Sequence, residues 1–233
     1  MTMPSSGDFR EMIAGGIHFR VKPPSTADSD KVIVLLHGWT GDEGSMWIFA
    51  SRLPVDAWMI APRGLFPSTL GGFSWYPETK RFWPAVEQLQ PAAEKLAAVI
   101  NSDNFPEIFF KPVSVLEVEK RPLSLVGFSQ GAALAFTFAL INPQMVRAVA
   151  GLSGFLPDRF ESFLDPLPYN GIPVLLAHGR RDELVPVEKA RQAAEYLTRA
   201  GAQVDYCEDD VGHKLSAACF RSLEVFFQDL SPR

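Results

Sequence analysis

The chain has 233 residues and a formal net charge of −5 at pH 7, with 47% hydrophobic and 21% charged residues. This length suits a single α/β domain, and this composition is that of a globular protein with a core. The negative charge argues against a nucleic-acid partner and against an anionic membrane surface. The apolar runs are too short to span a bilayer, and the N-terminus lacks a secretory signal pattern. We therefore expect a cytoplasmic protein with no stable membrane insertion.

Short apolar strands alternate with helices through most of the chain. The predicted strands cover residues 17–21, 31–36, 57–62, 123–128, 148–152, 173–177 and 203–207. The predicted helices cover residues 46–52, 87–100, 130–140, 186–199 and 216–230. Residues 1–15 are expected to be disordered. This alternation predicts one α/β domain over residues 1–233, with a mostly parallel central sheet and helices on both faces.

Two segments show no clear period. Residues 63–84 are rich in glycine, proline and aromatic residues, and long irregular loops of this kind are often functional. We predict a substrate-side loop there, with Gly71 and Gly72 as candidate hinges. Residues 101–122 fit either an inserted hairpin or an irregular crossover. Within them, the apolar stretch PVSVLEVEK, residues 112–120, is a candidate homodimer interface.

The two cysteines, Cys207 and Cys219, do not have the spacing of metal ligands. A chain with so few cysteines is typical of a reducing compartment, in which thiols stay reduced. The sequence therefore predicts two free thiols.

The stretch LVGFSQGAALAFTFAL, residues 125–140, places Ser129 between Gly127 and Gly131, where an apolar strand gives way to an apolar helix. In a mostly parallel sheet such a turn lies at the carboxyl edge, where active sites collect. A tight turn would hold the serine hydroxyl out at that edge, with a helix N-terminus behind it. The pattern therefore predicts a nucleophile. The alternative is a small-residue turn that lets a helix pack close to a strand.

A serine hydroxyl needs a base within hydrogen-bond reach, and the base needs an orienting acid. Of the four histidines, His213 lies in a loop between the last predicted strand and the last helix, and it is the predicted base. The acid is expected between the serine and the histidine in sequence. Asp182, in the loop after a buried strand, is the predicted acid, and the adjacent Glu183 is the alternative.

Five stretches of this chain resemble the α/β-hydrolase superfamily, and more narrowly the phospholipase/carboxylesterase family that includes acyl-protein thioesterases. They are VIVLLHGWTGDE, GFSQGAALAF, GLSGFLP, HGRRDELVP and VGHKLS, which occur in family order over residues 32–216. The resemblance implies the α/β-hydrolase fold, with Ser129, Asp182 and His213 as a catalytic triad. It also implies that no metal or cofactor is required.

The resemblance further implies an oxyanion hole made by the backbone N–H groups of Gln130 and Trp39. This chain has HGWTGD where thioesterases usually have the shorter HGLGD. The extra residue leaves open whether Trp39 or Thr40 supplies the second N–H. His37, at the end of the preceding strand, is expected to brace this loop without a catalytic role.

The predicted function is hydrolysis of carboxylic ester or thioester bonds in small to medium acyl substrates, through an acyl-enzyme. A set of apolar side chains near the carboxyl edge is expected to form the substrate pocket. The predicted pocket residues are Phe73, Trp75, Phe155 and Leu184, with Trp39, Tyr76 and Phe128 beside them. The alternatives are a lysophospholipase and a non-catalytic hydrolase-fold binding module.

Overall fold

The computed structural model describes residues 9–26, 29, 31–78, 83–102 and 122–230. Within these ranges eight strands form one sheet, in the order β1-β2-β4-β3-β7-β8-β9-β10. The strands of this sheet are β1 (Arg10–Ala14), β2 (Ile17–Lys22), β3 (Val32–Leu36), β4 (Trp58–Pro62), β7 (Leu123–Phe128), β8 (Val146–Leu152), β9 (Pro173–Gly179) and β10 (Gln203–Asp209). A separate hairpin contains β5 (Phe66–Pro67) and β6 (Phe73–Ser74). The helices are α1 (Val86–Ile100), α2 (Gln130–Ile141), α3 (Val187–Arg199) and α4 (Ala217–Gln228).

The strands from β3 onward in the main sheet run parallel to one another. Among the described strands of this sheet, the antiparallel pairs are β1–β2 and β2–β4. The β3–β4, β3–β7, β7–β8, β8–β9 and β9–β10 pairs are parallel. The carboxyl ends of the parallel strands therefore meet at one edge of the sheet. This order and direction confirm the predicted α/β-hydrolase fold.

Alternate residues of the central strands enter two separate hydrophobic clusters. In β3, Val34 and Leu36 pack in the cluster that contains residues of α1, α2 and α3. Ile33 and Leu35 pack in the cluster that contains residues of α4 and of two short 3-10 helices. Because successive side chains of a strand point to opposite faces, the sheet has helices on both faces, as predicted.

The predicted strands and helices are present, with ends that shift by a few residues. The helix predicted at 46–52 is instead two 3-10 helices, Ser45–Ile48 and Ala50–Arg52. Residues 103–121, which include the candidate homodimer interface, lie outside the described residues.

The prediction of disorder over residues 1–15 is wrong for residues 10–14, which form β1. This strand is mostly exposed and has no apolar alternation to mark it. It pairs with β2 through a tight turn at Gly15 and Gly16, both of which have positive φ, and two-residue turns of this kind favour hairpins. Residues 1–8 lie outside the described residues.

The prediction of free thiols is also wrong, because Cys207 and Cys219 form a disulfide. Cys207 lies on β10 and Cys219 on α4, and their Cα atoms are 5.7 Å apart, within the range that a disulfide spans. The sequence separation of 12 residues gave no sign that the chain reverses between them.

Among the described residues, no helix has the length and apolar character needed to cross a membrane.

Helix α2 packs unusually close to the sheet, because glycines occupy both contact points. A Cβ atom at Gly127 would overlap the carbonyl oxygen of Gly131. A Cβ atom at Gly131 would overlap the carbonyl oxygen of Leu36 and lie 2.6 Å from that of His37. Any larger residue at these positions would move the helix away from the strand ends.

We expect Gly131→Ala to lower the free energy of unfolding by about 1–3 kcal/mol, the usual cost of overpacking. Urea unfolding of both proteins measures the difference. The control is Gly44→Ala, whose new Cβ would have a side-chain oxygen of Asp42 at 3.2 Å as its nearest neighbour, and whose stability should change by less than about 0.5 kcal/mol. Equal stability of the Gly131→Ala variant and the wild type would contradict the close packing.

Candidate active site

Ser129 occupies the turn between β7 and α2, at the carboxyl edge of the sheet. Its backbone has φ 53° and ψ −118°, a conformation that few residues with side chains adopt. Its backbone N–H donates to the carbonyl of Leu152 at 2.9 Å, which fixes the turn against β8. The side chain is partly exposed, as a nucleophile on such a turn requires.

Asp182 follows β9 and is buried. Its Oδ1 accepts the backbone N–H groups of Leu184 and Val185, at 2.9 and 2.8 Å. Its Oδ2 lies 2.7 Å from Nδ1 of His213. The carboxylate is therefore held by its own loop and directed at the histidine, whereas the adjacent Glu183 is exposed.

His213 lies in the loop between β10 and α4, beside the serine turn. Its ring centroid is 4.9 Å from that of Phe128, the residue that precedes Ser129. Because Nδ1 of the ring faces Asp182, Nε2 is left for a second partner. Among the described residues, neither Nε2 nor the Ser129 hydroxyl makes a hydrogen bond. Such contacts often tighten only when substrate binds.

His178, at the end of β9, contacts Asp182 and its loop. Its Nε2 lies 2.8 Å from the carbonyl oxygen of Val185 and 3.4 Å from Oδ2 of Asp182. Because a carbonyl only accepts, Nε2 carries the hydrogen. Burial is the main cause of the lowered pKa of His178, so the ring stays neutral. The sequence alone did not predict this contact, because it depends on the fold of the loop after β9.

The backbone N–H groups near Ser129 differ in how they are used. The N–H of Thr40 donates to the carbonyl of Phe73 at 3.0 Å. The N–H of Trp39 and that of Gln130, the first residue of α2, make no hydrogen bond among the described residues. The two residues that the sequence left open are therefore not equivalent, because only the Trp39 amide remains free to bind another group.

His37 braces the loop that carries Trp39, as the sequence predicts. Its Nδ1 lies 2.7 Å from the carbonyl oxygen of Gly38, and its Nε2 accepts the N–H of Gly64 at 2.8 Å. Burial is the main cause of its lowered pKa. Since both ring nitrogens bind backbone groups, neither remains for a substrate.

Part of the predicted substrate-side loop is docked against this brace. The indole N–H of Trp75 donates to the carbonyl of His37 at 2.8 Å, and its backbone N–H donates to Oε1 of Gln130 at 3.0 Å. Residues 66–74 form the β5–β6 hairpin, and Phe73 pairs with Gly41. Residues 79–82 lie outside the described residues.

The predicted pocket residues divide into buried and exposed sets. Trp75 is fully buried and Phe155 is 4% exposed, so each packs inside the protein in this structure. Phe155 packs edge-on against Trp83, with ring centroids 4.6 Å apart. Phe73 is partly buried. Leu184 is 59% exposed and remains a candidate for substrate contact.

Glu78 links Trp39 to the hairpin loop. It accepts hydrogen bonds from the indole N–H of Trp39 at 3.1 Å and from the hydroxyl groups of Ser68 and Thr69. The two hydroxyl groups are the main cause that lowers the pKa of Glu78 to about 2, so the carboxylate stays ionised at neutral pH. This contact was not predicted, because it joins exposed residues far apart in the sequence.

Comparison with known proteins finds a matching family, similar sequences and similar structures. A profile of the family described as phospholipase/carboxylesterase matches residues 18–231. An acyl-protein thioesterase 1 from Emericella nidulans is 25% identical over 194 residues, 77% of this chain and 81% of that protein. A carboxylesterase structure from Mesorhizobium loti has a TM-score of 0.76 at 21% identity, covering 95% of this chain and 99% of that one. One from Bacillus cereus has a TM-score of 0.77 at 16% identity, covering 92% and 95%.

The two buried neutral histidines, His37 and His178, should make stability depend on pH. Their native pKa values are lowered, so only the unfolded chain takes up protons as pH falls below about 6.5. We expect the free energy of unfolding to fall from pH 7.5 to pH 5.5, with each histidine adding a slope of up to about 1.4 kcal/mol per pH unit. Carboxylates with lowered pKa values, such as Glu43, lose their contribution to the free energy of unfolding only at lower pH, where they become protonated.

Urea unfolding across this pH range measures the slope. His178→Gln should show a shallower slope than the wild type, because one titrating group is gone. His18→Gln is the control, since His18 is exposed on β2. An unchanged slope in His178→Gln would show that His178 is not buried in the neutral form.

Proposed function

This chain belongs to the phospholipase/carboxylesterase family, and we propose that it is a serine hydrolase that cleaves carboxylic ester or thioester bonds. The substrates are small to medium acyl compounds, and the reaction passes through an acyl-enzyme. The observation that carries the proposal is the 2.7 Å contact between Asp182 and His213, in a loop that packs beside the turn of Ser129.

In the first half of the reaction, Ser129 is the nucleophile and His213 the base. Nε2 of His213 takes the hydroxyl proton as Oγ attacks the carbonyl carbon. The backbone N–H groups of Trp39 and Gln130 then stabilise the oxyanion, each contributing about 3 kcal/mol to the barrier reduction. Asp182 keeps the imidazole tautomer fixed and stabilises its charged form. His213 next donates its proton to the leaving alcohol or thiol.

In the second half, water replaces the leaving group. His213 takes a proton from the water as it attacks the acyl-enzyme, and the same two amides stabilise the second oxyanion. His213 then returns the proton to Oγ of Ser129 as the acid departs. Every proton in this scheme moves through Nε2, and no metal or cofactor takes part.

The side chains around the serine favour an apolar acyl group. Trp39 is 43% exposed and Leu184 is 59% exposed, on the two loops that hold the oxyanion amide and the acid. Covering exposed apolar surface of this kind with a ligand removes it from water, which is favourable in free energy. Phe73 pairs with Gly41, two residues after Trp39, and its ring contacts the guanidinium of Arg63. The net charge of −5 offers no attraction for an anionic head group, which places a lysophospholipase second.

A non-catalytic binding module is the remaining alternative. Such a module would not need the acid to be buried, bonded by two backbone N–H groups and directed at a histidine. Asp182 has all three features. They favour an enzyme.

We expect Ser129→Ala to abolish hydrolysis of p-nitrophenyl esters, tested from acetate to decanoate. A thioester with the best acyl chain, assayed in parallel, decides between ester and thioester preference. The matched control is Ser124→Ala, which changes a buried serine on β7, the strand that leads to Ser129, and should keep wild-type turnover. Equal turnover in Ser129→Ala and the wild type would disprove the nucleophile, and an inactive, well-folded wild type would favour a binding module.

Asp182→Asn should lower kcat by about 10³–10⁴-fold, because the amide cannot hold the required imidazole tautomer. The neighbouring variant Glu183→Gln should leave kcat close to that of the wild type. Steady-state kinetics on the preferred ester provide both values. A larger loss in Glu183→Gln than in Asp182→Asn would assign the acid to Glu183 instead.

A further inference from the structure

The disulfide between Cys207 and Cys219 encloses the loop that carries His213. Cys207 lies on β10 and Cys219 in the first turn of α4, and His213 lies midway between them in the sequence. The bond therefore joins the strand that enters the loop to the helix that leaves it.

The two halves of this loop are held differently. The first half is bonded to the end of β9: Arg180 N–H donates to the carbonyl of Asp209 at 2.8 Å, and Arg181 N–H to that of Val211 at 3.0 Å. The second half leads into α4, where Ser216 caps the helix by accepting the N–H of Cys219 at 3.1 Å. The position of His213 therefore depends on how α4 sits against β10.

The disulfide joins these two elements covalently. We propose that it is a positioning element for the catalytic base, because it holds β10 and α4 at the spacing that presents His213 to Asp182 and to the serine turn. This inference rests on the proposed serine hydrolase function. The oxidised enzyme is the form with full activity.

A small reductant can approach the bond from the side of Cys207, because Cys219 is buried. Cys207 is partly exposed and lines a cavity of about 920 Å³ between β10 and α4, together with Tyr206, Ala218 and Ser222. A dithiol that enters this cavity would attack one sulfur and form a mixed disulfide. The second thiol of the reagent would then attack the mixed disulfide. The protein is left with two thiols and the reagent becomes a cyclic disulfide, so that two electrons pass to the protein.

Reduction should act on kcat and not on substrate binding. His213 carries the proton transfers of the proposed reaction, and it lies inside the loop that the bond closes. The exposed apolar residues Trp39 and Leu184 lie on other loops, outside residues 207–219. If the disulfide merely stabilised the fold, its reduction would lower the unfolding temperature and leave kcat unchanged below that temperature.

The test compares oxidised and reduced wild-type enzyme. The protein is reduced with dithiothreitol, freed of reductant by gel filtration without oxygen, and checked for two free thiols per chain. We expect kcat on the best p-nitrophenyl ester to fall by about tenfold or more, the scale expected when a catalytic group is misplaced, with KM within about twofold. Reoxidation with oxidised glutathione should restore kcat.

The double variant Cys207→Ala, Cys219→Ala gives an independent comparison. It should show the lowered kcat permanently and no response to dithiothreitol. Circular dichroism establishes that each protein is folded at the assay temperature. If the variant fails to fold, the wild-type comparison decides the question, and if the wild-type bond resists reduction, the variant decides it.

The outcomes separate the two proposals. Folded, reduced enzyme or folded variant with the kcat of the oxidised wild type would overturn the positioning role and leave the serine hydrolase proposal intact. Oxidised wild type without esterase or thioesterase activity would instead remove the proposed function, and this inference with it.

Discussion

The close approach of α2 to the ends of β3 and β7 is the constraint on which the rest of the site depends. Gly127 and Gly131 lack the Cβ atoms that would collide with backbone carbonyl groups at these contacts. Without these Cβ atoms, the chain can reverse at a single residue. That residue is Ser129, which has a positive φ. The strained turn is stable because the surrounding packing determines it. The same geometry places the first N–H of α2 next to the serine.

Two buried histidines hold the loops that surround this turn. His37 bonds the loop of Trp39 to Gly64, and His178 bonds the acid loop through Val185. Both are neutral because burial lowers their pKa values. Each therefore holds its loop by hydrogen bonding to backbone groups. The proposed catalytic histidine differs from them, because His213 is only partly buried.

The sequence predicts what repeats locally, and it misses what depends on distant contacts. The central strands could be found because a β-branched run such as that of β3 marks a strand buried on both faces. Ser129, Asp182 and His213 could be proposed because each follows a strand whose carboxyl end lies at the same edge of the sheet. Strand β1 could not, since it is exposed and depends on its hairpin partner.

The disulfide, the burial of Trp75 and the link through Glu78 could not be predicted for the same reason. Each joins segments whose proximity exists only in the folded chain. The choice between Trp39 and Thr40 likewise depended on the β5–β6 hairpin, whose Phe73 carbonyl occupies the Thr40 amide.

The most direct measurement of the central claim is covalent labelling with an alkyl fluorophosphonate, followed by peptide mass spectrometry. This reagent phosphonylates a serine that a neighbouring base activates. The proposed mechanism predicts one adduct per chain, on the peptide that contains Ser129, and its loss in His213→Ala. An adduct on a different serine, or an unlabelled wild-type protein that is folded, would contradict the assignment of Ser129 and His213.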